Sequence, residues 1–395
     1  MRRGVIGVVM ALAAAGCRSE RGAGANASAS ADASANASAD ARAGADAGAG
    51  AEEKARGVLE RAQVAGLAFA AVTRERDVVV GGAGVADLAR RSGVTAETVF
   101  EAASIAKLVV ATCVMQLVED GKLDLDADAS KYVGMPLRHP RSATPITLRM
   151  LLSHRASIRD RQDEIASARA GNALATFLAH YMVENTKPRA AAFLDAAPGT
   201  STSYSNVGAS LAALAVERVA GETFAEVSTH RVLEPLRMRD TRWVAPLRPS
   251  ASSARPYARI DGGFLALPSP SHALYPAVDL HASARDLARF ARAMLRDGEL
   301  EGARILAPAS VHTMMSAVAG DGDQALAWQL RSIGSARVAG HEGEDAGATT
   351  ALFLDLAAGT GALVLANGDA FASEDPARAA AVQTFLGELL GIAAR

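Results

Sequence analysis

The chain has 395 residues, of which 50% are hydrophobic, 21% charged and 4% aromatic, and its formal net charge is -2. That length and apolar content can bury a large core and would accommodate two or three domains. Few aromatics and no basic block exclude a base-stacking or polyanion-binding surface, so no nucleic-acid partner is expected.

Met1-Arg2-Arg3 is a positive n-region, and Val5 to Ala15 is an apolar run too short to span a bilayer. Small residues follow, ending Ala14-Ala15-Gly16-Cys17, and the whole reads as a secretory signal. A Cys directly after Ala-Gly resembles a bacterial lipoprotein cleavage site. Residues 1–16 would then be removed and Cys17 lipidated; a plain signal cleaved near Ala15 is the alternative. The only other Cys is Cys113, inside an apolar segment, so no disulfide framework exists and Cys113 is expected in the core. Residues 17–51 consist largely of Ala, Gly, Ser, Asn, Asp and Arg, a composition that cannot build a core. They are expected to be a flexible tether between a membrane and a folded domain over 52–395. The expected location is the cell envelope, lipid-anchored and facing the periplasm or exterior.

Glu53 to Val64 has a helical pattern. Gly66 to Thr73 and Asp77 to Gly81 are short apolar, β-branched runs separated by Arg74-Glu75-Arg76, a hairpin signal. A long apolar helix is predicted from Ser104 to Gly121. Residues 126–265 are mostly helix and loop. Leu280 to Arg296 is amphipathic, with Leu287, Phe290, Ala291 and Leu295 on one stripe. Thr349 to Leu356 and Gly361 to Ala366 are strand-like, split by a turn at Ala357-Ala358-Gly359-Thr360. A helix over Asp375 to Leu390, with Pro376 in its first turn, closes the chain. Strands at both ends with helices between predict an α+β domain. Its antiparallel sheet is assembled from distant segments, about 52–125 and 266–395, and it carries a mostly helical insert over about 126–265.

Three clusters carry chemistry. Ser104 and Lys107 stand three apart at the predicted helix start, so hydroxyl and amine share a face. A hydroxyl needs a neighbour to take its proton, and a buried Lys can do so because burial lowers its pKa. About one S-x-x-K is expected by chance in a chain of this length. Lys, however, occurs only at 54, 107, 122, 131 and 187, against 41 Lys and Arg in total. The chain uses Arg nearly everywhere it needs a cation, and Arg cannot act as a base. The second cluster is Tyr204 with Asn206: a phenol whose pKa a nearby ammonium could lower, and an amide able to meet a substrate carbonyl. The third is Gly340-His341-Glu342-Gly343-Glu344, a His flanked by glycines that let a ligand approach the backbone. No G-x-S-x-G elbow, zinc-ligand set or glycine-rich nucleotide loop is present, so no metal or other cofactor is expected.

In order and separation these elements resemble the serine β-lactamase and penicillin-binding-protein superfamily, specifically its branch of class C β-lactamases, DD-peptidases and related esterases. S-x-x-K falls at Ser104 and Lys107, Y-x-N at Tyr204 and Asn206, and H-x-G at His341 and Gly343. Runs such as Gln116 to Asp126, Ile146 to His154 and Asp286 to Phe290 look familial too, and the resemblance covers about residues 56–395. It implies the β-lactamase/transpeptidase-like fold. It also implies Ser104 as acylated nucleophile, Lys107 and Tyr204 as the proton-transfer pair, and Asn206, His341 and Gly343 as substrate-binding residues. The backbone N–H groups of Ser104 and Glu344 would form the oxyanion hole. The implied substrate is a small-molecule or peptide ester or amide, cleaved through an acyl-enzyme. Glu342 stands where the family has Thr or Ser, and a carboxylate there is expected to repel substrates bearing a carboxylate, such as β-lactams. Arg155-Ala156-Ser157 replaces a glycine-bearing turn, and Ala277-Val278 lacks a glycine pair. The expected function is an exported serine esterase or D-amino-acid peptidase, with weak β-lactamase activity at most. A non-catalytic envelope receptor for penicillin or muropeptides is the alternative, and a structural lipoprotein on the same scaffold the third.

Overall fold

The computed structural model describes residues 46–167, 173–243, 252–269 and 271–395. The signal segment, Cys17 and nearly all of the expected tether lie outside these residues. Among the described residues, helix extends into the last part of the expected tether. Residues 47–62 form a helix, α1, and its Ala51, Ala55, Val58 and Ala62 are buried. Alanine is the best helix former, so the Ala-rich end of the expected tether is helical where a core takes it up.

The strands of the main sheet are β1 (Gly66–Thr73), β2 (Asp77–Asp87), β3 (Ser92–Gly93), β4 (Gln329–Ile333), β5 (Ala336–Asp345), β6 (Ala348–Asp355) and β7 (Thr360–Ala366). They pair antiparallel in the order β4-β5-β6-β7-β1-β2-β3. Segments from early and late in the described chain thus meet at β1 and β7, where Phe69 pairs with Val364. Side chains alternate across a strand. Leu67, Phe69 and Ala71 pack with α1 and the C-terminal helix, α5 (Pro376–Ala393), and the ring of Phe69 meets that of Phe385 edge-on at 5.4 Å. Ala68, Ala70 and Val72 face the opposite core, with α4 (Ala284–Leu295). With both faces covered, β1 can be apolar throughout. Gly81 of β2 lies so close to Phe69 that a Cβ would stand 3.0 Å from its ring.

The helical part is built round α2 (Ala106–Glu119), buried from Ala106 through Leu117, and α3 (Asn206–Ala220). A helix apolar on all sides belongs in the middle of a domain, and Cys113 is buried there as expected. Leu280 to Arg296 is not one helix. Leu280–Ser283 is a buried strand paired with Val99–Glu101, and α4 starts after Ser283, whose side chain caps Asp286 N. The amphipathic stripe is confined to α4. The segment holding His341 and Gly343, given no secondary structure from sequence, is the second half of the ten-residue strand β5.

Candidate active site

Ser104 sits in the 3-10 turn Ala103–Ile105 that leads into α2. Three anchors hold the turn. Ala102 N donates to Leu280 O at 2.7 Å, Thr350 Oγ1 donates to Ala102 O at 2.9 Å, and Ala103 takes a left-handed backbone, φ +47°. Such a backbone costs a non-glycine residue about 1 kcal/mol or more and persists where its surroundings enforce it. Beside the turn runs β5. A Cβ on Gly343 would lie 2.8 Å from Ala102 O and 3.0 Å from Ser104 N, so only glycine lets the strand pass this close. The partner strand β4 ends its pairing at Gly340, leaving the outer edge of His341 to Asp345 without a strand beside the nucleophile. Unpaired edge groups of this kind can bind an extended backbone.

Ser104 is not a helix cap; its hydroxyl is shared by two side chains. Lys107 Nζ lies 2.8 Å from Ser104 Oγ, and the Tyr204 hydroxyl donates to the same oxygen at 2.7 Å. Lys107 has no exposed surface and also donates to Ala277 O at 2.8 Å. Burial pulls its amine down from 10.5 to about 7, against the opposing fields of Asp160 and Asp345. Near neutral pH the amine can therefore shed its proton and accept one from Ser104. Tyr204 behaves otherwise than the sequence suggested. Its ring edge reaches solvent, yet burial of the hydroxyl raises its pKa, and it stays a phenol that donates to Ser104.

The structure brings the other motif residues to the same place. His341 is buried, with its ring 5.9 Å from that of Tyr204, and burial followed by the charge of Lys107 pushes it down to about 3. Asn206 opens α3 two residues after Tyr204, and its Oδ1 is buried without a partner. Glu342, one step along β5, faces the other side of the sheet. It pairs with Arg331 at 2.7 Å and accepts from Gln383 of α5 at 3.2 Å. Its expected repulsion of substrate carboxylates therefore falls away.

Two further residues shape the site and were not assigned from sequence. Asp160 accepts from Ser205 Oγ and Asn206 N, both at 2.6 Å, and from Val207 N at 3.3 Å. It thereby fastens the start of α3 and stands at the positive end of that helix. His154 accepts from Ser205 N at 3.2 Å through Nδ1, receives Ser203 N on its carbonyl at 2.7 Å, and lays its ring 4.5 Å from that of Tyr204. Accepting on Nδ1 places the proton of the neutral ring on Nε2. Burial, then the charge of Lys107, keeps the ring neutral. Tyr204 is thus set between two neutral imidazoles. His154 belonged to a familial run, but nothing local distinguished it. Asp160 offered no local signal at all. Arg155 and Ser157, replacing the glycine-bearing turn, are accommodated: Arg155 donates to Gly199 O and Thr202 Oγ1, and Ser157 adopts φ +58°.

A buried Ser–Lys pair with a Tyr hydroxyl on the same oxygen thus lies between the sheet and the helical part of the chain. The model of the beta-lactamase family matches residues 51–385, and the chain belongs to that family of serine hydrolases. It is similar to penicillin-binding protein 4 of Amycolatopsis lactamdurans, 28% identical over 292 residues that cover 70% of this chain and 74% of that one. It is also similar to the lovastatin esterase of Penicillium rubens, 34% identical over 194 residues, 41% of this chain and 46% of that one. Matches to several other curated relatives likewise span less than half of those proteins' length. The octameric penicillin-binding protein homologue from Pyrococcus abyssi shares the fold, with a TM-score of 0.70 at 21% identity over 87% of this chain and 77% of that one.

Proposed function

We propose that the protein is an exported, lipid-anchored serine hydrolase that cleaves an ester or amide through an acyl-enzyme on Ser104. The observation that carries this is the single oxygen, Ser104 Oγ, contacted at once by the buried Lys107 amine and the Tyr204 hydroxyl. The Ser104 proton passes to neutral Lys107 as Oγ attacks the carbonyl carbon. The oxyanion is met by the backbone N–H groups of Ser104 and Glu344. Tyr204 gives its proton to the leaving oxygen or nitrogen and is reprotonated from the Lys107 ammonium. Water then repeats the sequence on the acyl-enzyme and restores Ser104. Asn206, His341 and Gly343 line the substrate's path. His341 and His154 are neutral, so they add no charge that would hold Lys107 below 7. Relatives named as a penicillin-binding protein and an esterase support an ester or peptide-like amide substrate.

The receptor alternative drew its weight from Glu342, which is paired with Arg331 away from the nucleophile. Incubating the purified protein with short-chain p-nitrophenyl esters, D-amino-acid peptides and nitrocefin, with intact mass followed over time, tests the proposal. A transient acyl adduct with continued product release is expected. An adduct that forms and never turns over would favour the receptor. Export and lipidation are tested by globomycin treatment and membrane fractionation: the mature chain should begin at Cys17 and partition with membranes.

A further inference from the structure

Three segments that serve the nucleophile are tied together through side chains. The first carries Ala277, whose carbonyl accepts from Lys107 at 2.8 Å. The second is the end of β5, where Asp345 follows Glu344. The third is the strand Val99–Glu101, which runs into the Ser104 turn. His272 stands where the first two meet. Its backbone N–H donates to Asp279 Oδ2 at 2.8 Å and its Nδ1 lies 2.5 Å from Asp279 Oδ1, so residues 272–279 close into a loop with Ala277 near its end. Its Nε2 lies 3.3 Å from Asp345 Oδ2. Asp345 in turn shares a hydrogen bond with the buried Glu101 carboxyl.

Both ring nitrogens of His272 thus face carboxylate oxygens. A neutral imidazole has one N–H and can donate to one of them; holding both needs the imidazolium. Burial opposes that charge, but the bond to Asp279, then the charges of Asp279 and Asp345, raise His272 above its ordinary value. The other titratable groups around the bridge do not replace it. Glu101 is held protonated by burial and then by Asp345, and His281, opposite it on the paired strand, is kept neutral by burial and then by Arg242. Glu344 and Asp369 line the same cavity as His272 and are raised from their ordinary range, first by burial, with Arg378 opposing at Asp369. Asp345 also reaches the catalytic amine: with Asp160 it is one of the two charges that oppose the burial-driven fall of Lys107. Asp160 is fixed by the start of α3, and Asp345 by Ala346 N and by His272.

We infer that His272 is a positioning residue for acyl transfer: as an imidazolium it locks the segment that presents Ala277 O to Lys107 against the strand end that presents the Glu344 N–H to the oxyanion, and it holds the Asp345 carboxylate in place within the field of the Lys107 amine. The inference rests on the hydrolase reading above and adds a residue to its machinery. His272 touches neither Ser104 nor Lys107; it acts through Asp279 and Asp345.

The test is the pH dependence of kcat/KM for a p-nitrophenyl ester in the wild type, His272→Gln and Asp345→Asn, with the rate of fluorophosphonate labelling of Ser104 giving the same midpoint where turnover is slow. The acid limb of the wild type has its midpoint near 7, set by Lys107. Removing the imidazolium leaves the Asp345 charge uncompensated and the Lys107 ammonium more stable, so in His272→Gln the midpoint should rise by about half a unit or more. Removing the Asp345 charge does the opposite, and in Asp345→Asn the midpoint should fall by a similar amount. In His272→Gln kcat should drop on the order of tenfold with KM within about twofold, because alignment and not binding is lost. A bridge that only ties the fold together would loosen the site in both variants and could not move the two midpoints in opposite directions. Midpoints that stay at the wild-type value or move the same way, or a change confined to KM, with Ser104 still labelled, would overturn the role of His272 and leave the hydrolase standing. If one variant fails to fold, the direction of the other decides; failure of both would reduce the bridge to a structural tie and overturn the inference. A wild type with neither labelling nor turnover would overturn the hydrolase reading itself.

Discussion

Replacing Lys107 by Met should stabilise the protein while abolishing its activity. The amine is wholly buried, and its pKa falls from 10.5 to about 7. The folded state therefore binds its proton less tightly than the unfolded chain. Below pH 7 both states carry the proton, and burying that charge costs the fold about 5 kcal/mol, at about 1.4 kcal/mol per pKa unit. Between pH 7 and 10.5 the unfolded chain holds the proton and the folded one does not, so stability rises with pH and the penalty fades. Met has nearly the same length and no charge. It leaves Ala277 O without its donor, which costs about 1 to 3 kcal/mol, while Ser104 Oγ keeps the Tyr204 hydroxyl. The net expectation is a gain of about 2 to 4 kcal/mol at pH 6, shrinking towards zero or reversing by pH 10. Urea melts of both proteins at pH 6, 8 and 10 measure it, and taking the difference between them cancels other titrations. A variant less stable than wild type at pH 6, or a difference that does not change with pH, would refute the reasoning. Stability surrendered at a catalytic group is a common pattern in enzymes.

Lys107→Arg keeps a cation but cannot deprotonate, and should lower kcat/KM for a p-nitrophenyl ester by about 10²-fold or more. In the wild type the same rate should climb with pH through an apparent pKa near 7, because loss of the Lys107 proton creates the base. A pH–rate profile that is flat from 6 to 8 would remove Lys107 from that role. Asp160→Ala leaves three donors at the start of α3 unmet and should lower kcat/KM by about tenfold or more through misplacement of Tyr204 and Asn206; an unchanged rate would make Asp160 dispensable. Glu342→Thr should leave the ratio of nitrocefin to p-nitrophenyl butyrate turnover within about twofold, because exposed or half-exposed pairs contribute little and this one faces Gln383 rather than the cleft. A clear rise in nitrocefin turnover would put Glu342 back in the site.

How much of this could be read from the sequence depends on the range of the contacts. Ser104 and Lys107 are one turn apart, so their pairing follows from local geometry. Tyr204, Asn206, His341 and Gly343 could be gathered only by resemblance, and the fold does bring them together. Residues 340–344 were read only as a His flanked by glycines, with no strand assigned, so what alternation would have revealed was lost. Inside β5, His341 and Gly343 must face one side and Glu342 the other. The break at Ser283 was hidden because Leu280 and Ala282 run straight into the apolar stripe of the helix; the cap of Ser283 onto Asp286 N separates the two. The lowered pKa expected for Tyr204 took account of the ammonium beside it and missed the burial of its hydroxyl. Asp160 and His154 act across about 45 to 50 residues of chain, on the Ser205 hydroxyl and on backbone N–H groups of Ser205, Asn206 and Val207. Any Asp or His could do the same, so no local pattern marks these two.

The most direct test of the acyl-enzyme claim is peptide mapping after reaction with a fluorophosphonate probe, run on the wild-type chain and on Ser104→Ala with ester turnover measured in parallel. One adduct per chain on Ser104, with neither adduct nor turnover in the variant, is the predicted result. An adduct on Ser201, Ser203 or Ser205, or turnover that survives in Ser104→Ala, would contradict the account.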